Sequence, residues 1–149
     1  MKYLIISITL LSIACSPNKS NIVDLKKTTM TPGEIYDIKR NNFIKKTTSL
    51  FNYLITDYGY QSPKHKTYHQ DNGTVINDEL VYLKLDSSRQ LIISNSYHPV
   101  DYGFEINLKS NINSKTEMLH YVLKEDQDME QSYLDEVSIL LKTKFQKKL

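Results

Sequence analysis

The sequence predicts an α+β domain: an antiparallel meander of three to four strands, with an N-terminal and a C-terminal helix packed on one face. Three observations lead there. Apolar residues recur at helical spacing over 35–58 and again over 129–145, while the stretch 79–109 between them alternates with a period of two. Short clusters of Asp, Ser, His, Pro and Asn interrupt that alternation. The chain has 149 residues, 40% of them hydrophobic and 24% charged, with a mean hydropathy of -0.46, which describes one ordinary domain.

The first helix opens at Thr31-Pro32-Gly33-Glu34. Thr31 can cap it, Pro32 suits the first helical position, and Glu34 completes a capping box. Ile35, Ile38, Ile44, Phe51, Leu54, Ile55 and Tyr58 then supply the apolar stripe, and Gly59 suits a left-handed residue past the helix end. Asn41-Asn42 is the expected place for a bend or break, with 41–58 as the firmer part.

In the meander, Val81, Leu83 and Leu85 point one way and Leu80, Tyr82 and Lys84 the other. Asp86-Ser87-Ser88-Arg89 reads as a turn, Gln90–Tyr97 as the next strand, and His98-Pro99-Val100-Asp101 as a second turn. Tyr102, Phe104, Ile106 and Leu108 alternate with Gly103, Glu105, Asn107 and Lys109 as a third strand. A fourth strand is placed at Lys64–Gln70, before the Asp71-Asn72-Gly73 turn. Thr116–Leu123 fits either a short helix or an edge segment. The closing helix carries the stripe Met129, Tyr133, Val137, Leu140, Leu141 and Phe145. Acids at its start and lysines at its end complement the helix dipole.

Ahead of the domain, Lys2 precedes an apolar run from Tyr3 to Ile13. That run is about eleven residues, against roughly twenty for a bilayer span, so 1–14 reads as an export signal. It leads into Ala14-Cys15, the only cysteine. Leu11-Ser12-Ile13-Ala14-Cys15 resembles the lipobox of bacterial lipoproteins, with the leucine one place early. The resemblance implies that Cys15 is acylated and begins the mature chain, tethering it to a membrane of the bacterial cell envelope. Ser16, in place of an Asp, is similar to lipoproteins sorted to the outer rather than the inner membrane. Residues 15–30 are then anchor and flexible polar tether, and 31–149 the domain. Several acyl chains make such an anchor stable, at about 0.8 kcal/mol per buried methylene.

Composition excludes several classes of function. Nineteen bases against seventeen acids, for a net charge of +2, argue against a nucleic-acid partner. One Cys and four Gly leave no disulfide framework and no phosphate-cradling loop, so no nucleotide or other cofactor is expected. No serine stands in a Gly-x-Ser-x-Gly setting. His65 and His69 are spaced for one face of a helix and, with His98, Asp71 or Asp78, form the alternative metal set. Pro63 and Gly73 bracket them, however, which favours a strand or loop and exposed histidines. Lys39-Arg40 and Lys45-Lys46 read as a solvated helix face.

Eleven tyrosines are the most informative residues left. With the helices over Val81, Leu83, Leu85 and Phe104, the opposite sheet face would present Tyr82, Ile92 and Glu105. That face and its turns, around Tyr82, Tyr97 and Tyr102, are the expected protein-binding site. The helix ending Phe51–Tyr60 in an aromatic-Gly-aromatic step, the strand Leu80–Leu85 and the closing Tyr133-Leu134…Leu140-Leu141-Lys142 segment resemble small immunity proteins encoded beside polymorphic toxins. The resemblance spans roughly 41–149. It implies a binder without chemistry of its own and, with the anchor, protection against a toxin acting in the envelope. The reading is therefore a lipid-anchored envelope protein-binding domain, with no enzymatic activity and no cofactor. The alternatives are a small envelope hydrolase or metal-dependent enzyme using His65, His69 and His98, and a structural envelope lipoprotein.

Overall fold

The structure, a computed structural model, describes residues 30–98 and 103–149. The signal at 1–14, Cys15, the tether through residue 29, the turn at 99–101 and Tyr102 lie outside the described residues. Helix α1 (Pro32–Leu50) starts as its sequence dictates: Thr31 caps it and Glu34 reaches back to the Thr31 backbone N–H at 2.7 Å. It runs unbroken through Asn41-Asn42. The break comes at Phe51-Asn52, where α2 (Tyr53–Thr56) follows as a single turn. Phe43 and Thr47 are the buried positions of α1, while Ile44 is half-buried. Gly59 adopts a φ of 68°, and its carbonyl accepts a bond from the Leu85 N–H that ties the helical segment to the sheet.

The sheet has five strands rather than three or four: β1 (Lys64–His69), β2 (Val75–Leu83), β3 (Arg89–Ser96), β4 (Phe104–Ser110) and β5 (Thr116–Val122). Their order in space is their order in the chain, and every pair is antiparallel. Local polar chemistry makes the turns. The Thr74 N–H bonds to Asn72, Ser88 to Asp86, and Lys115 to Asn113, each from backbone to a side chain two residues earlier. Segment 116–122, open between helix and edge in the sequence, is the edge strand β5; a bulge opposite Ile106/Asn107 accompanies burial of Leu119. Helix α3 (Tyr133–Lys144) begins four residues after Met129 and buries Leu134, Val137, Ser138 and Leu141, leaving Leu140 half-buried.

Both long helices pack on one face of this sheet. Phe43, Phe51, Leu54, Leu134, Val137 and Leu141 close over Leu80, Tyr82, Leu91, Ile93, Phe104 and Ile106. The register explains the choice: Tyr82 stands opposite Leu91 and Leu80 opposite Ile93, which in turn faces Ile106. That reverses the expected orientation of β2. Val81 stands instead opposite Ile92, on the face away from the helices.

Candidate functional site

The structure separates the three tyrosines expected to bind a partner. Tyr82 is fully buried in the core beneath the helices and cannot reach a partner. Period-two alternation marks two faces but not which one is inside, and cross-strand partners two strands away decide it. Burial pushes its phenol well above the ordinary value, and its hydroxyl has no hydrogen-bond partner. Tyr97 is half-buried at the end of β3, with its ring edge-to-face against Tyr36 on α1 at 5.2 Å. Tyr102 lies outside the described residues.

The histidines do not converge either. His65 and Thr67 on edge strand β1 turn toward the helices and meet Asp78 of β2, whose side chain is fully buried. The Asp78 carboxylate accepts from Arg40 Nε at 2.6 Å and Nη2 at 3.0 Å, from Thr67 Oγ1 at 2.8 Å, and contacts His65 Nε2 at 2.7 Å. Burial raises its pKa, but the Arg40, Thr67 and His65 hydrogen bonds outweigh this and hold it below the ordinary 3.8. Arg40 is the basic residue that the sequence placed on a solvated face. It is instead the clamp between α1 and the β1–β2 edge. His69 and His98 flank the start of β2 from opposite sides: His69 pairs with Val75, and Tyr97 donates its N–H to Ile76 O. Two inter-strand spacings, about 10 Å, separate such positions. Among the described residues, no three His, Cys, Asp or Glu side chains gather as a metal site would require. The His65–Asp78 contact resembles part of a hydrolytic dyad, but Arg40 occupies both carboxylate oxygens. Thr67, the nearest hydroxyl, already donates to Asp78.

Two features of the described residues bear on binding. The first is the sheet face away from the helices. Across it run Lys66, Glu79, Ser94, Glu105 and Tyr121 in one row, and Lys64, Val81, Ile92, Asn107 and Met118 in the next. Ile92 and Glu105 therefore fall on the open face, as the alternation suggested, while Tyr82 does not. None of its apolar residues joins the core cluster; Val81 is nonetheless buried among its neighbours, while Met118 and Tyr68 are exposed. The Tyr68 hydroxyl donates to Glu79 at 2.8 Å and the Asn107 amide to Glu105 at 2.9 Å, so the acids of the face are anchored. Five strands of about seven residues give a face of roughly 500–600 Å². A standard interface takes about 800 Å² from each partner.

The second is a cavity of about 130 Å³ under the first half of α1, lined among the described residues by Tyr36, Lys39, Asn95, Ser96, Tyr97, Lys124 and Gln127. Sequence reasoning passed over Asn95 and Gln127, since a lone polar residue in a strand or loop carries no motif. The available signal was the polar break after Ile93 in an inward-facing row. A larger groove of about 320 Å³ lies at the other end of the sheet beside Arg89, Glu117 and Lys148. There Arg89 bonds the Lys148 carbonyl and Lys148 pairs with Glu117, so its central charges are matched internally.

The fold defines the class of the chain: an α+β domain built on a five-stranded antiparallel meander with its helices on one face. No protein-family model, curated protein or solved structure matches it.

Proposed function

We propose that the chain is a lipid-anchored, non-enzymatic protein-binding domain of the bacterial envelope, of the immunity type. In this reading it captures a folded protein partner on the open face of its sheet. The observation that carries this reading is that the helices pack on one face only and leave Val81, Ile92, Met118, Tyr68 and Tyr121 on the other. A mixed face, with an apolar middle and anchored acids and lysines around it, has the composition of a reversible protein interface. Its area supplies most of one side of a standard interface, and the turns at its rim supply the rest. The lipobox-like Cys15 supports the anchor and the envelope location, the outer membrane before the inner.

The test uses the full chain and the products of the genes beside its own, mixed as purified proteins. Ile92→Lys and Met118→Lys place charge on the open face without touching the core. A neighbour-encoded protein that binds wild type stoichiometrically and loses at least tenfold affinity for both variants, with melting unchanged, supports the reading. Undiminished binding by both variants removes the face, and no binding by any neighbour removes the immunity assignment. Separately, Cys15→Ser moves the protein from the membrane to the soluble fraction; retention on membranes refutes the anchor.

A further inference from the structure

The cavity under α1 combines three properties of a built site. It is partly enclosed, and several polar atoms in its wall are left without a partner. Asn95 is 1% exposed and both of its amide atoms lack a hydrogen-bond partner, as do the Tyr97 hydroxyl and Gln127 Nε2. None of these atoms has a protein hydrogen-bond partner, an arrangement that native folds rarely show at several adjoining positions. Burial, and behind it the Asp78 charge, pushes the Tyr97 phenol up; Asn95 lies close enough to lower it slightly but out of bonding geometry.

Its size and walls also limit what it takes. A volume of about 130 Å³ is close to that of a cavity that holds one benzene, about 150 Å³. The edge-to-face rings of Tyr36 and Tyr97 give two apolar walls that meet at an angle.

Its polarity is one-sided. Lys39 holds the Gln127 carbonyl at 3.1 Å, and Lys124 holds those of Tyr97 and His98 at 3.2 and 3.0 Å. Both ammonium groups are thereby fixed beside the cavity. No carboxylate lines it among the described residues. The one buried nearby, Asp78, is taken up by Arg40, Thr67 and His65. The Asn95 and Gln127 amide N–H groups, the Tyr97 hydroxyl and two lysines thus belong to the wall of this space, and among the described residues lining it the unpaired acceptors are Asn95 Oδ1 and the Tyr97 oxygen.

From this enclosure we infer that the cavity binds a carboxylate on a short stem, with the carboxylate on Asn95, Gln127 and the lysines and the stem against Tyr36 and Tyr97. The same chemistry is offered by a small free organic acid and by the Glu or Asp side chain of a bound protein. This inference is independent of the open sheet face, which lies on the other side of β3.

The experiment titrates the full chain, labelled with 15N, with propionate and with a blocked peptide bearing a single glutamate. Chloride at equal ionic strength is the control, and the readout is the side-chain amide signals of Asn95 and Gln127. Saturable shifts of both amides at millimolar ligand are expected, with chloride inert. Tyr97→Phe and Lys39→Gln each weaken binding at least threefold, and Asn95→Leu at least tenfold, with the backbone spectrum otherwise preserved. Saturation by propionate alone assigns a free acid, and tighter binding of the peptide assigns a partner's side chain. Shifts that fail to saturate with either probe, that chloride reproduces, or that survive Tyr97→Phe and Lys39→Gln overturn the inference. Those two variants keep the test decisive even if Asn95→Leu misfolds.

Discussion

Asp78→Ala probes a buried charge that ties α1 to the sheet. In the wild type the carboxylate is fully buried and satisfied by Arg40 through two bonds, and by Thr67 and His65. Removing one member of a buried pair costs about 3–5 kcal/mol when the remaining charge stays dry. Here the Arg40 side chain keeps 24% of its exposure and His65 keeps 36%, so both regain water and the loss falls to about 2–3 kcal/mol. Urea unfolding at pH 7 measures it. Replacing Arg40 with Met and Asp78 with Leu together leaves stability within about 1 kcal/mol of wild type, because no charge is stranded. The pH dependence has a definite sign. The Asp78 pKa is held below its ordinary 3.8 in the fold, so its contribution is complete above that value. It is lost as the pH falls through the lower folded-state pKa. The gap between wild type and Asp78→Ala therefore narrows as the pH falls below about 3.8. A cost under about 1 kcal/mol at pH 7, or a gap that fails to narrow below about pH 3.8, refutes the clamp.

Other perturbations follow from the same coordinates. Tyr82→Phe deletes a buried hydroxyl without a partner. It should raise stability by about 1 kcal/mol, roughly 4 °C in thermal melts, whereas Tyr82→Ala costs about 3–5 kcal/mol; a destabilised Phe variant would mean that the hydroxyl is bonded. Gly103 has a φ of 96°, and a Cβ there would lie 2.6 Å from the Val122 carbonyl oxygen. Gly103→Ala should cost at least about 2 kcal/mol in urea unfolding, and a change within about 0.5 kcal/mol would contradict the close approach. Thr31→Ala removes one half of the capping box and should cost about 1 kcal/mol, with Asp at the same position restoring it. Equal stability of the Ala and Asp variants would show that the cap is idle.

The start of α1, most turns and the strands from β1 to β4 were readable because each depends on neighbours within a few residues, whereas β5 was open between helix and edge. Thr31 and Glu34 satisfy the same backbone donors wherever the helix goes, and Asp86, Asn72 and Asn113 bond amides two residues away. The α+β class follows from where the period changes from helical to two. The candidate sites were less accessible. Tyr82 and Val81 are equally apolar neighbours in one strand, and Tyr82 turns inward because Leu91 lies opposite and Leu108 continues that row on β4, beside the inward row of Leu80, Ile93 and Ile106. Arg40, one base among four on α1, becomes a buried partner because the fold brings Asp78 of β2 beside it, 38 residues on.

What the order of residues settles about this protein is local: caps, turns, the period of each segment, and a charge balance without excess. Which face of the sheet is dry, which tyrosine is reachable and where unpaired amides collect are settled by packing. A strand's inward direction is chosen by the summed burial of the whole sheet against the helices. Asn95 and Gln127, 32 positions apart, share a cavity only when the end of β3 and the turn after β5 lie under the same helix. Side chains acquire function from that convergence, and no window along the chain contains it.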